Sequence, residues 1–285
     1  MTRSLLTLSA AAFVLAACMQ GEEVGPPQLS ETRAAETASL PANLGSPAME
    51  ITNESFEGRA VVDPQIAAFD PQLAGQLMAR AQEALEEMNA SASRDQAEWA
   101  AAVEEGETGY TFRPYEMEVR HHAISQADGF ISVQQDIYLN SGGAHPNYFL
   151  GGALYGVEGG GPVPITAIVA DPALFGARLK AGLVEAKIDR GYEESARGYV
   201  EEQVEEYLGD DAVAGSEWAN SYILNPSTEE GRFGGITVLF SPYDVGPYAE
   251  GSYEITIPAA ELEGLLTPAW AARFGGEPVL PPKEE

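Results

Sequence analysis

The fold is decided by residues 235–258, which read GITVLFSPYDVGPYAEGSYEITIP. Apolar residues alternate with other residues over 236–241, and they do so again over 253–257. A period of two predicts two strands that each bury one face. The connection at 241–251 contains two prolines, which fix φ and remove amide donors, and two glycines, which permit positive φ. The pattern therefore predicts a hairpin with a stiff connection, which is either a packed corner or a binding surface.

The candidate binding residues on this connection are Tyr243, Asp244 and Tyr248. The neighbouring prolines hold these side chains on a connection that is longer than any tight turn requires. Tyrosines in such a position often pack as a corner, whereas a carboxylate beside them favours a ligand-binding role. We expect His145, in a second loop, to belong to the same surface.

The first residues predict an export signal and a lipid anchor. Residues 1–17 contain Arg3 followed by an apolar run that is too short to span a bilayer, and they end in Leu-Ala-Ala before Cys18. This spelling resembles the bacterial lipobox, in which the cysteine becomes the lipidated first residue. Cys18 is the only cysteine, so an intramolecular disulfide is excluded and lipidation is favoured over an ordinary signal peptide. By the same resemblance, Met19 favours an outer-membrane anchor that faces the periplasm.

The chain is strongly acidic, with a net charge of −29. Removal of residues 1–17 leaves 14 basic and 44 acidic residues, a net charge of −30. Such a charge repels nucleic acid and anionic lipid, so we expect no nucleic-acid partner. It attracts cations and basic proteins, although solubility in a salty habitat explains the acidity equally well.

The remaining pattern predicts an α+β fold in which antiparallel hairpins pack against amphipathic helices, in two linked halves. Strand and helix signals occur in both halves, and no internal repeat is evident. The predicted parts are a signal peptide at 1–17, a flexible acidic and proline-rich tether at 18–50, an N-terminal half at 51–161, a C-terminal half at 162–274 and a loose tail at 275–285.

Local signals place the helices and the clearest hairpin. Asp70-Pro71 and Asp171-Pro172 are typical of an N-cap followed by proline at the first helical position. A capping-box spelling at Ser93 predicts that a second helix begins there. Alternating residues over 115–139, with Asp128-Gly129 between them, predict the hairpin. We also predict a helix at 192–208 with an acidic face and a short helix at 258–266.

Two segments resemble a known pair of linked bacterial domains. These are SGGAHPN at 141–147, after a strand, and LFSPYDVGPYAEG at 239–251. The pair forms the extracytoplasmic part of RsiV-type lysozyme-sensing anti-sigma factors and precedes the catalytic domain of PdaC-type peptidoglycan deacetylases. The resemblance extends over about residues 51–266 and implies a mixed α+β fold with a binding role. We expect this chain to have neither the transmembrane and sigma-binding parts of the sensors nor a deacetylase domain, so that neither function transfers whole.

Catalytic and metal chemistry have little support in the sequence. His121 and His122 are adjacent on a predicted strand and therefore point to opposite faces. His145 is expected to tie down its own loop through hydrogen bonds, and we predict no metal site and no cofactor. Because the chain has 44 acidic residues, the sequence does not single out any pair of carboxylates as the catalytic pair of a glycoside hydrolase.

Together these patterns predict a cell-envelope lipoprotein, and they favour a binding role over an enzymatic one. Its expected partners are the membrane, through lipid on Cys18, and either a basic protein of the lysozyme type or peptidoglycan. The alternative is an enzyme acting on peptidoglycan or another envelope glycan. A deep cleft lined by His145, Tyr243 and Asp244 would favour chemistry, whereas a shallow exposed surface would favour binding.

Overall fold

The computed structural model describes residues 48–106, 109, 111–157, 159–209 and 221–280. The predicted signal peptide, Cys18 and most of the predicted tether lie outside these residues. All described residues fall within one compact unit. No helix among them is long and apolar enough to span a bilayer.

The first sheet contains five strands in chain order: β1 Ala48–Thr52, β2 Phe56–Val62, β3 Tyr115–Ala127, β4 Phe130–Asn140 and β5 Asn147–Gly156. The β3–β4 hairpin is the predicted one, and Asp128 and Gly129 both adopt positive φ at its turn. Neighbouring strands are antiparallel except β2 and β3, which are parallel. A parallel pair needs a long crossover, and helices α1 (Pro64–Phe69) and α2 (Pro71–Glu104) supply it. The predicted tether ends earlier than expected, because residues 48–50 already belong to β1.

Helix α2 begins as predicted and then continues past the predicted break. The Asp70 side chain accepts a hydrogen bond from the Gln72 amide, and Pro71 occupies the first turn. The second helix predicted at Ser93 is wrong, because α2 runs without interruption to Glu104. Its buried stripe continues from Leu85 to Ala92. Packing of this stripe against the first sheet therefore keeps the chain helical past Ser93, despite the local capping signal there.

The second sheet contains β6 (Tyr222–Pro226), β7 (Phe233–Phe240) and β8 (Tyr253–Pro258), with β7 in the centre. The predicted hairpin of β7 and β8 is therefore present. The prediction that β7 buries only one face is wrong, because all eight of its residues are buried. One face contributes to the core that also contains the helices at 172–190 and 197–208. Just beyond the strand, Ser241 contacts the first sheet.

Of the helices predicted in the second half, the one that starts at Asp171-Pro172 is present, and the one predicted at 192–208 is present from residue 197. Helix α3 (Ile165–Ile168) is short, and α4 (Pro172–Arg190) starts with its predicted N-cap aspartate and packs on β8. Helix α5 (Arg197–Leu208) follows a 3-10 turn at Glu194–Ala196 and ends at Gly209 as predicted. The helix predicted at 258–266 is reduced to a 3-10 turn at Ala259–Leu262, and the next proline begins α6 (Pro268–Ala271).

Serine hydroxyls join the two sheets by bonding to strand backbone. Ser125 Oγ donates to the Leu224 carbonyl oxygen at 2.5 Å, and the Leu224 amide donates to Ser132 Oγ at 2.8 Å. On the other side the Leu150 amide donates to Ser241 Oγ at 3.0 Å. These bonds give partners to backbone amide and carbonyl groups at the edges of the sheets, and they connect the two halves directly.

The C-terminal segment differs from the predicted loose tail. The Val279 amide donates to the Pro226 carbonyl oxygen at 2.9 Å, and the Thr228 amide donates to the Glu277 carbonyl oxygen at 3.0 Å. Residues 275–280 are thus tied to the end of β6 by backbone hydrogen bonds, which leave no periodic side-chain signal in the sequence.

Candidate binding site

The connection between β7 and β8, residues 241–251, is called the binding loop below. Its middle is anchored, since Val245 and Gly246 are buried while Tyr243 is 58 % exposed. Asp244 closes a turn: its Oδ2 atom accepts a hydrogen bond from the Ser241 amide at 2.6 Å, and its own amide donates to the Ser241 carbonyl oxygen at 3.1 Å. Tyr243 has φ of +79°, a left-handed conformation that side chains other than glycine seldom adopt. The loop therefore presents one tyrosine outward on a constrained backbone.

The glycine-rich loop at 141–147 lies against the binding loop, as the sequence analysis expected. The rings of His145 and Tyr248 are stacked, with centroids 3.7 Å apart and an interplanar angle of 19°. The Tyr248 hydroxyl donates to the Pro146 carbonyl oxygen at 2.6 Å, and the Tyr243 ring lies 5.5 Å from that of Tyr248. Three of the predicted residues, His145, Tyr243 and Tyr248, thus form one cluster, with Asp244 at its base.

His145 is more exposed than its expected structural role implied. Its Nδ1 atom lies 3.0 Å from the carbonyl oxygen of the adjacent Pro146, and its ring packs on Tyr248 rather than being enclosed by its own loop. The cost of removing this side chain should therefore reflect a ring contact and not an unpaired buried donor.

Two further tyrosines extend the cluster onto the first sheet. Tyr138 on β4 and Tyr148 on β5 are directly opposite in the strand register, with ring centroids 5.3 Å apart. The Tyr138 hydroxyl donates to Glu116 Oε2 at 3.1 Å. Partial burial, together with the neighbouring Tyr148 and Tyr243, raises the pKa of Tyr248. We call this group the aromatic surface; its members are Tyr138, His145, Tyr148, Tyr243 and Tyr248.

Tyr138 and Tyr148 were not predicted to belong to this surface, although the sequence contains a signal for them. Each lies five residues from Gly143, so antiparallel pairing of the two strands on either side of this loop brings them together. The surface is open: His145, Tyr243 and Asp244 are all exposed, which is the arrangement expected of a binding surface.

A buried ionic network lies behind the binding loop. Lys187 on α4 donates to Glu250 Oε2 at 2.5 Å, and the Lys187 side chain is completely buried. Tyr253 donates to the same oxygen at 2.7 Å, and Tyr192 donates to Oε1 at 2.8 Å. Arg190 donates to the Glu250 carbonyl oxygen and lies over the Tyr253 ring, 4.0 Å from its centroid.

The two phenols of this network are held in their neutral form. Burial, followed by hydrogen bonding to Glu250, raises the pKa of Tyr192 and of Tyr253 well above the ordinary value for tyrosine. This network was not predicted from the sequence. The available signal was that Lys187 follows Leu179 and Leu183 at intervals of four residues, on the buried face of α4.

The other two histidines lie apart from the aromatic surface and on opposite faces of β3. His121 is buried, and burial first, with neighbouring His122 and Arg80, lowers its pKa to about 4. His122 Nε2 lies 2.9 Å from Asp136 Oδ2 on the opposite face. No group of three or more histidines, cysteines or carboxylates within the described ranges is placed to hold a metal ion.

The acidic helix α5 is largely a solvated surface. Glu205 pairs with Lys180 at 2.8 Å, and Arg197 bridges Glu185 and Glu194. A shallow groove of about 250 Å³ separates α4 from α5 and is lined by these charged pairs. Nothing in this groove resembles the aromatic surface.

The architecture defines an α+β module that carries an open, loop-borne aromatic surface. Two family models match parts of the chain: residues 52–148 match "Deacetylase PdaC", and residues 184–260 match "Protein of unknown function (DUF3298)". The resemblance inferred from the two loop motifs is thereby confirmed. Both domain types are extracytoplasmic, so the matches indicate an envelope protein.

One solved structure supports the fold assignment. A member of the DUF3298 family from Bacteroides fragilis is 16 % identical, with a TM-score of 0.51 over 77 % of this chain and 92 % of its own. A DUF3298 family protein from Pseudomonas aeruginosa is also 16 % identical, with a TM-score of 0.45 over 82 % of this chain and 98 % of its own. No curated protein is significantly similar to this chain.

Proposed function

We propose that this chain is a lipid-anchored binding protein of the cell envelope whose aromatic surface binds a basic protein of the lysozyme type. The observation that carries the proposal is Tyr243. Its ring is 58 % exposed on a backbone in the left-handed region, at the edge of a cluster of rings. Exposed aromatic anchors on constrained loops are typical hot spots of protein interfaces, because little side-chain entropy is lost on binding.

Charge supports the same class of partner. The net charge of −29 produces a field that accelerates the approach of a cationic protein. Charge alone selects no particular partner, since exposed contacts are screened beyond a Debye length of about 8 Å at physiological salt. Specificity in this proposal therefore comes from the aromatic surface.

The anchor completes the proposal. Lipid on Cys18 would hold the domain at the periplasmic face of the outer membrane, with residues 19–47 between the anchor and the first strand. An enzyme acting on peptidoglycan is the competing proposal. The exposed positions of His145 and Asp244 support the binding role, because hydrolytic sites usually enclose their reacting groups.

The test compares lysozyme with an unrelated protein of equal positive charge, at low and at physiological salt. We expect only lysozyme to remain bound at physiological salt. Tyr243→Ala should weaken that binding by about 30-fold, the loss that corresponds to a hot spot of about 2 kcal/mol. Tyr199→Ala is the matched control, because Tyr199 is 54 % exposed but lies on α5.

Two results would reject the proposal. If both basic proteins bind alike and are both released by salt, the acidity only confers solubility. If the protein is retained by peptidoglycan sacculi and cleaves them while lysozyme does not bind, the enzyme proposal replaces this one.

A further inference from the structure

The buried network behind the binding loop joins two separate parts of the chain, residues 187–192 and residues 250–253. Lys187 lies at the end of α4, Tyr192 follows that helix, and Glu250 ends the binding loop just before Tyr253 on β8. The side chains of Lys187 and Glu250 are 0 % and 6 % exposed. Every carboxylate oxygen of Glu250 has a donor, and the cation of Lys187 is paired.

Such a pair is not explained by stability alone. Removing two charges from water costs several kcal/mol, and apolar residues of similar volume often serve stability equally well. What the ionic arrangement adds is geometry, because charge-assisted hydrogen bonds fix direction as well as distance. Here the direction is from the end of α4 to the underside of the binding loop.

The contact between the network and the loop is close. A Cβ atom added to Gly246 would lie 2.4 Å from Glu250 Oε2 and 2.9 Å from Lys187 Nζ. The loop backbone therefore rests directly on the ion pair, three residues from Tyr243. On the other side, the turn closed by Asp244 fixes the start of the same segment.

We propose that Lys187 and Glu250 are positioning residues that hold the binding loop, and with it Tyr243, in the conformation that binds the partner. The inference rests on the proposed function for its partner but not for its geometry. Strained left-handed conformations persist only where the surrounding structure imposes them, and the network supplies that constraint. A loop that is ordered before binding loses less entropy when the complex forms.

The test uses a neutral pair, Lys187→Met with Glu250→Gln, which removes both charges and keeps similar volumes. Leu85→Ala is the control: it opens a cavity in the other half of the protein, at a residue that is 0 % exposed. Tyr192→Phe is a milder variant that deletes one hydrogen bond of the network. Two quantities are measured: hydrogen exchange of the amides at 243–251, which needs no partner, and the Kd for lysozyme.

We expect the neutral pair to fold with a wild-type circular dichroism spectrum. Its loop amides should exchange at least about tenfold faster, and its Kd should rise at least about tenfold, a shift of about 1.4 kcal/mol. Tyr192→Phe should show a smaller change in the same direction, and Leu85→Ala should change neither quantity at a temperature where it is folded.

The inference is overturned if exchange in the loop is unchanged in the neutral pair, or if Leu85→Ala changes it equally. Should the neutral pair not fold, Tyr192→Phe decides in the same way: unchanged loop exchange rejects the positioning role. If the wild-type protein does not bind lysozyme, the proposed function fails while loop exchange still decides the positioning role.

Discussion

Replacing Gly152 with alanine should force the two sheets apart. An added Cβ atom would lie 2.5 Å from the carbonyl oxygen of Tyr222 and 3.0 Å from Ile223 Cγ2. The first contact is about 1 Å shorter than the optimum separation of heavy atoms. Because a backbone carbonyl in a central contact between sheets cannot rotate away, we expect an overpacking cost of about 2–3 kcal/mol, in the upper part of the usual range.

Gly151→Ala is the matched control, since it is the adjacent residue on β5 with its side chain on the opposite face. Its added Cβ atom would meet Gln135 Oε1 at 3.5 Å, an ordinary contact. Both variants reduce the entropy of the unfolded chain by the same amount, so their difference isolates the overpacking cost. That difference should appear as about 4–12 °C in Tm and be visible in urea unfolding followed by circular dichroism. Equal stability of the two variants would refute the close approach of the sheets at this position.

Three further outcomes are expected. Cys18→Ser should abolish lipid labelling of the mature chain, and labelling equal to wild type would contradict the anchor. The pKa of His121 in the folded protein is lowered to about 4, so on acidification the unfolded chain protonates this histidine before the folded protein does. The free energy of unfolding should therefore fall by about 2–3 kcal/mol between pH 7 and pH 4.5, and this fall should be absent in His121→Gln. Equal pH dependence of the two proteins would show that His121 is not the responsible group. His145→Ala should cost about 0.5–1.5 kcal/mol in urea unfolding, the value of a ring pair with Tyr248, whereas a loss above 3 kcal/mol would indicate a buried role.

Features specified by neighbouring residues were predictable from the sequence. The N-caps at Asp70 and Asp171 and the turn at Asp128-Gly129 depend on contacts within a few residues, and each is present. The closeness of the 141–147 and 241–251 loops was also expected, although from resemblance to a family and not from the pattern of the residues.

Features that depend on packing were not predictable in this way. The capping spelling at Ser93 predicts a helix start, but burial of the surrounding stripe against the first sheet keeps α2 continuous. The alternation in β7 predicts one buried face, but the fold covers both. In each case an apolar surface from a distant part of the chain decides the outcome, and a local pattern contains no information about it.

By itself, the sequence determined the acidic charge, predicted the α+β class and identified the loops that carry the candidate residues. Only the tertiary structure decided that Tyr138 and Tyr148 join the aromatic surface and that Lys187 pairs with Glu250, 63 residues away. The physical reason is that a buried charge is tolerated only where a partner and hydrogen bonds compensate for its desolvation. For Lys187 that compensation comes from the end of the binding loop, which the packing of β8 on α4 brings to this side chain.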